Sequence, residues 1–253
     1  MPRKILVLLP SHDFDPTEAS VPALALADAG HQVTFSTPEG QQARADPIMA
    51  TGKGLWLLAG VLAADQNGRR AYQRVQTLPS FQSPVSWSSL APEKYDALLL
   101  PGGHAKGGMR QYLESEKLQI VTAHFFDHNK PVAAICHGVV LASRSTSSKT
   151  GRSVLHGHKT TSLLNIQEKL AWWLTWLWMG NYYRTYLDKT VESEVRGALA
   201  NPTKDFQAGP TALSRDTPDN IQAGFTVKSG SYLSARWPGD VHRFTRDFLS
   251  MLA

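Results

Sequence analysis

The chain has 253 residues, 42% of them hydrophobic and 19% charged, which is enough apolar material for a packed core and excludes global disorder. Its single cysteine, Cys136, excludes an internal disulfide framework and any zinc site built on several thiolates. The net charge of +5 comes from Lys and Arg scattered along the sequence, so no nucleic-acid partner is expected.

Residues 5–9 form a continuous apolar run that stops at Pro10 and Ser11, as a strand buried on both faces would. The run is too short for the apolar region of a signal peptide. No stretch reaches about 18 uninterrupted apolar residues. The expectation is a cytoplasmic chain without stable membrane insertion. Residues 17–29 turn Ala/Leu-rich and predict a helix, capped by Asp15 or Thr17 and closed by Gly30. A second strand follows at 31–37, and strand–helix–strand at this spacing predicts a parallel sheet. Glycines and prolines interrupt residues 41–92, read as a loop-rich insertion with one helix near 58–75.

Periodicity returns with a buried strand at 95–100, which runs into Pro101-Gly102-Gly103-His104, and then a helix over 113–128. Residues 131–135 predict a strand ending on Cys136-His137-Gly138, with helix over 139–143. Residues 145–158 are turn-like. Residues 166–199 read as helix in two pieces broken near Gly180-Asn181, and 201–222 as loop, so that 166–222 forms a second insertion. Residues 225–236 alternate as strand around Ser229-Gly230, and 241–252 predict a closing helix. The whole, 1–253, reads as a single α/β domain.

Ligands of open parallel sheets bind beyond the carboxyl ends of the strands. Cys136 sits where a buried strand turns directly into a helix, so free N–H groups and the positive end of the dipole would face its side chain and favour thiolate. Ala134 and Gly138, two residues to either side, repeat the spacing of a serine nucleophile elbow. A buried, inert cysteine is the alternative. Gly102-Gly103 allows close approach of backbone to a ligand, and the N–H groups of Gly103 and His137 are candidates for an oxyanion hole; an ordinary strand-to-helix turn is the alternative.

Pro101-Gly-Gly-His104, Ala134-Ile-Cys-His-Gly138 and Glu18, four residues before Pro22, together resemble the ThiJ/PfpI superfamily. Residues 29–40 and 234–239 resemble its second strand with the following loop and its C-terminal signature. The resemblance implies the flavodoxin-like α/β fold of class I glutamine amidotransferases, with a parallel sheet sandwiched by helices. The two insertions bring the chain nearest the larger chaperone/glyoxalase III-like branch. On this resemblance Cys136 is the nucleophile, Glu18 the acid that contacts its sulfur and shuttles a proton, His137 the histidine that follows the nucleophile, and Gly103 the oxyanion-hole glycine. By its own local sequence Glu18 also fits a solvated carboxylate in a first helical turn.

Ser162 stands where some small members place a histidine, so a triad completed there is absent. Asp240 and His242 are candidates for a third group. The implied activity is glutathione-independent conversion of 2-oxoaldehydes to 2-hydroxy acids, with a small carbonyl substrate, no cofactor and a homodimeric assembly. An amidase or peptidase using the same cysteine, or a stress chaperone or oxidation sensor, are the alternatives. His124/His128 and His156/His158 have ligand-like spacing but no clear acidic partner nearby, so they read as surface histidines and no metal is expected. Residues 170–186 concentrate Trp and Tyr; packing within the domain or across a dimer is expected there, and a pocket lid, a chaperone surface or an interfacial membrane contact are the alternatives.

Overall fold

The computed structural model describes residues 1–211 and 214–253; Ala212 and Leu213, within the loop expected over 201–222, lie outside the described residues. In chain order the first half comprises β1 (Lys4–Leu8), β2 (His12–Phe14), α1 (Pro16–Asp28), β3 (Gln32–Thr37), β4 (Arg44–Ala45), α2 (Pro47–Thr51), α3 (Ala59–Leu62), α4 (Gln66–Val75), α5 (Pro79–Gln82), β5 (Val85–Ser86) and β6 (Ala97–Leu100). The second half comprises α6 (Lys106–Leu113), α7 (Glu116–Asp127), β7 (Val132–Ile135), α8 (Gly138–Arg144), α9 (Asn165–Met179), α10 (Val191–Ala198), α11 (Pro202–Asp205), β8 (Thr226–Ser229), β9 (Tyr232–Ala235) and α12 (Val241–Leu252).

The main sheet runs in the order β5-β3-β1-β6-β7-β9-β8. Every neighbouring pair is parallel except β8–β9, a hairpin at one edge. Strands β6 and β7 are buried along their whole length, as their unbroken apolar runs require of strands covered on both faces. Burying each such side chain is worth about 1.5–3 kcal/mol, so these central strands anchor the register of the sheet. This is the flavodoxin-like, class I glutamine amidotransferase-like fold expected from the sequence. Among the described residues no helix is long and apolar enough to cross a membrane.

Several elements depart from the sequence-based expectations. The helix near 58–75 is two helices, α3 and α4, separated at Ala63–Asp65, and Asp65 caps the second through the Gly68 N–H. The two-residue β5 extends the main sheet beyond β3, and β2 pairs with β4 in a separate parallel ladder. The helix expected over 113–128 begins at Glu116, capped by Ser115, and a further helix, α6, precedes it. Gly107 and Gly108 disguise α6 as loop. Gly108 has a packing reason to lack a side chain, because a Cβ there would run into the His12 carbonyl of β2. The break between α9 and α10 spans residues 180–190 rather than the Gly180-Asn181 pair alone.

Candidate active site

Strands β1, β6 and β7 are neighbours in the sheet, and the residues beyond their carboxyl ends converge. After β7 the chain turns sharply at Cys136, whose φ of 56° lies in the left-handed region that residues with a side chain rarely adopt. The turn is held from both sides. Cys136 N–H donates to the Ala235 carbonyl at 3.2 Å, and α8 starts so close to β6 that a Cβ on Gly138 would run into the Leu100 carbonyl.

Beyond β6, Gly102 locks onto the start of α1. Its N–H donates to Glu18 Oε2 at 2.8 Å and its carbonyl accepts from Asp15 N–H at 2.8 Å. A Cβ on Gly102 would stand 2.6 Å from His137 N, 2.9 Å from Glu18 Oε2 and 3.1 Å from Cys136 Cβ, so only glycine fits between the three. Gly103, the glycine singled out for the oxyanion hole, packs its α-carbon against β2. Among the described residues neither its N–H nor that of His137 donates to a backbone carbonyl outside the regular helices and strands.

Asp15 caps α1 through the N–H groups of Thr17 and Glu18, at 2.8 and 3.0 Å. This fixes Glu18 in the first turn with its carboxyl turned inward. Glu18 is fully buried, not the solvated carboxylate that its local sequence equally allowed. Burial first, and the Asp15 carboxylate second, hold it well above the ordinary glutamate range, which favours its protonated form. Asp15 itself is pushed up to about 6, chiefly by burial.

The thiol departs from expectation. Cys136 has no solvent-exposed surface. Burial, and then the neighbouring acidic groups Glu18 and Asp15, push it well above the usual thiol range. The His137 N–H at the start of α8 pulls the other way and is outweighed. The resting group is therefore a thiol, not the thiolate that the helix terminus alone would favour. The dipole is worth a fraction of a kcal/mol to about 2, and desolvation of a buried anion costs more.

His137 lies against the thiol. Its Nδ1 lies 3.5 Å from Cys136 Sγ, and its Nε2 lies 3.1 Å from Thr185 Oγ1. The single Thr185 hydroxyl proton is donated to the His104 carbonyl at 2.9 Å. Toward His137 the hydroxyl is consequently an acceptor, Nε2 carries the imidazole proton, and Nδ1 presents its lone pair to the thiol. Burial and the neighbouring His104 keep His137 well below the usual histidine range, hence neutral.

The family model described as ThiJ/PfpI family-like matches residues 9–210, from the end of β1 past α11. The chain belongs to the ThiJ/PfpI family. Among curated relatives of this family, Deglycase PfpI of Pyrococcus furiosus is 22% identical over 247 residues, covering 98% of both chains. The glutathione-independent glyoxalase HSP31 of Saccharomyces cerevisiae is 23% identical over 177 residues, 67% of this chain and 72% of the relative. In structure the chain is similar to glyoxalase III of Candida albicans, with a TM-score of 0.71 and 17% identity over 98% and 97% of the two chains.

The family's motif residues Glu18, Cys136 and His137 are thus brought together, whereas Asp240 and His242 are not joined to them by any hydrogen bond among the described residues. Asp240 forms an ion pair with Arg236, with both side chains fully buried; Oδ1 accepts from Nη2 and Oδ2 from Nε, each at 2.8 Å. It also accepts the Phe225 and Arg236 N–H groups, so its acceptor positions are filled. The Asp240–Arg236 pair fastens the hairpin to α12. His242 lies in the first turn of α12, its N–H donating to Asp216 Oδ1 at 3.2 Å. The group that sequence reasoning missed is Thr185, in the 180–190 segment, where nothing local marks a threonine as the partner of His137. Among the described residues no group of three or more His, Cys, Asp or Glu side chains is arranged to hold a metal ion; His124 and His128 stack on one another, 4.0 Å between ring centres.

Above the thiol lies a roof. His104, buried and held at about 4 by loss of solvent, packs edge-on against His137 at 5.5 Å and against Tyr183 at 5.1 Å. Beyond His104 opens a cavity of about 210 Å³ bordered by α3, α9, Tyr183, Arg215 and Trp237.

Proposed function

We propose that this chain is a cysteine-dependent enzyme that converts a 2-oxoaldehyde to a 2-hydroxy acid without an added thiol cofactor. The observation that carries this reading is the contact of the Cys136 thiol with a neutral imidazole whose bare Nδ1 faces it, beside a buried Glu18 whose protonated form is favoured. A nucleophile, a base and an acid from two different elements meet around Gly102. The names deglycase and glyoxalase among the relatives support carbonyl chemistry at this site.

In the proposed cycle the Cys136 proton passes to His137 Nδ1 as sulfur bonds to the aldehyde carbon. The new oxyanion is held by the N–H groups of Gly103 and His137, then takes that proton to give a hemithioacetal. His137 next removes the proton on the former aldehyde carbon while Glu18 protonates the neighbouring ketone oxygen, giving an enediol. His137 returns its proton to the ketone carbon and Glu18 recovers one from the first hydroxyl, leaving a thioester of the 2-hydroxy acid. Water cleaves the thioester and restores the thiol. Both acid and base end as they began.

The test is proton NMR of methylglyoxal incubated with the protein. Lactate should appear in step with substrate loss, and Cys136→Ala and Glu18→Gln should both stop it. Methylglyoxal loss without lactate, or lactate formation by Cys136→Ala, would overturn the reading.

A further inference from the structure

The cavity beyond His104 is nearly all apolar, bordered by side chains such as Leu62, Leu163, Leu174 and Trp237, yet it carries one cation whose hydrogen bonds are incomplete. Arg215 is fastened at one end only. Its Nη2 donates to the carbonyls of Val61 and Ala63 at 2.9 and 2.7 Å, and its guanidinium stacks over the Trp237 ring at 5.3 Å. Its Nε and Nη1 are buried and have no acceptor among the described residues. Buried donors are nearly always satisfied, so two left open on a guanidinium that borders an apolar cavity leave it capacity for a further acceptor. A second group at the same cavity is also open: His104 Nδ1 is buried and has no partner among the described residues.

The nearby carboxylates leave Arg215 free. Glu168, which also borders the cavity, is engaged with Arg184 at 3.3 Å and with the Val191 N–H at 2.9 Å. Asp15 and Glu18 lie within electrostatic reach of the guanidinium but form no hydrogen bond with it among the described residues; they bond instead to backbone N–H groups of α1 and Gly102. The cavity touches the catalytic group through His104, whose ring meets that of His137. Its volume corresponds to about seven water-sized groups at ~30 Å³ each, more than a methyl-substituted oxoaldehyde needs.

We propose that this cavity receives the far end of the carbonyl substrate, with Arg215 binding a carboxylate there, so that the substrate class is an aliphatic 2-oxoaldehyde ending in a carboxylate. The assignment of reaction rests on Cys136 acting as the carbonyl nucleophile; the assignment of the cavity does not. The aliphatic chain lies against the leucine walls and the carboxylate pairs with the Arg215 guanidinium, uncovering its Nε and Nη1 as it enters. His104 is the wall between this chain and the thiol.

Two measurements separate the cavity from the chemistry. The first is calorimetric titration of the Cys136→Ala protein with 4-oxopentanoate, an unreactive keto acid, and with neutral 2-pentanone. The acid should bind at least about tenfold more tightly, Arg215→Met should erase the difference, and Arg215→Lys should keep part of it. Equal binding of acid and ketone, no binding of the acid, or a preference untouched by Arg215→Met overturns the assignment. The second compares 4,5-dioxopentanoate with 2-oxopentanal as substrates of the unaltered protein. The acid should lead by at least about tenfold in kcat/KM, mainly through KM, and in Arg215→Met the ratio should fall toward one. Turnover of both at equal kcat/KM overturns the cavity and leaves the chemistry standing. Tight binding of 4-oxopentanoate with turnover of neither aldehyde overturns the chemistry and upholds the cavity.

Discussion

The floor and the roof of the site are built differently. The floor consists of β1, β6 and β7 with α1 and α8, and its apolar side chains belong to the large core that runs through the whole sheet. The roof comes from residues 47–63, α9 and the 180–190 segment. Its buried apolar residues, Met49, Leu55, Ala63, Ala171 and Tyr183, form a small cluster of their own. The floor holds a nucleophile in a strained backbone conformation, which only a rigid surround can maintain. The roof reaches the nucleophile through His137, whose tautomer Thr185 fixes. Geometry is thus fixed from below and the state of the base from above.

If that division holds, floor substitutions should cost stability and roof substitutions should cost chemistry. The largest effect is expected from Gly138→Ala. The added methyl meets the Leu100 carbonyl, so unfolding in urea should show a loss of ~3 kcal/mol; a loss below ~1 kcal/mol would mean that the elbow has slack. Thr185→Val keeps the shape and removes the acceptor for His137 Nε2. It should lower kcat for methylglyoxal by about ten- to a hundredfold while stability changes by only ~1 kcal/mol. A large stability loss with normal kcat would reverse the assignment of roof and floor.

Alkylation of Cys136 by iodoacetamide sharpens the electrostatic half of the comparison, since it is the lone cysteine. Its thiol is raised, so the thiolate fraction, and with it the rate, should climb about tenfold per pH unit through pH 9. A plateau below pH 8 would show that the helix terminus outweighs burial after all. The smallest effect is expected at Trp173, 64% exposed on α9, where Trp173→Ser should change stability by no more than ~0.5 kcal/mol. A greater loss would mean that this face is covered in solution.

The same division explains what could be read from the sequence. Residues 97–100 and 132–135 are unbroken apolar runs ending in turn residues, and buried parallel strands leave that mark locally. Asp15 as the cap of α1 and Cys136 at a strand-to-helix turn were legible for the same reason. Thr185 and Arg215 were not, because each acts on a partner far away in the chain through tertiary contact alone. The direction of the thiol's ionisation was misread because a sequence displays the helix that follows Cys136 but not the depth of its burial or the two carboxyls beside it. Helix α6 was hidden by Gly107-Gly108, whose small size serves close packing against β2 rather than a turn.

The tryptophans have a practical consequence. Trp172, Trp173, Trp176 and Trp178 all lie on α9, Trp56 stacks on Trp178 with 5.4 Å between ring centres, and Trp237 borders the cavity. Of the seven in the chain, Trp87 is buried in the main core and Trp237 also packs against it. Intrinsic emission from this protein is therefore a report from one side of the molecule. A molecule entering above His104 should change the spectrum without any dye or label, so the protein carries its own optical gauge of occupancy.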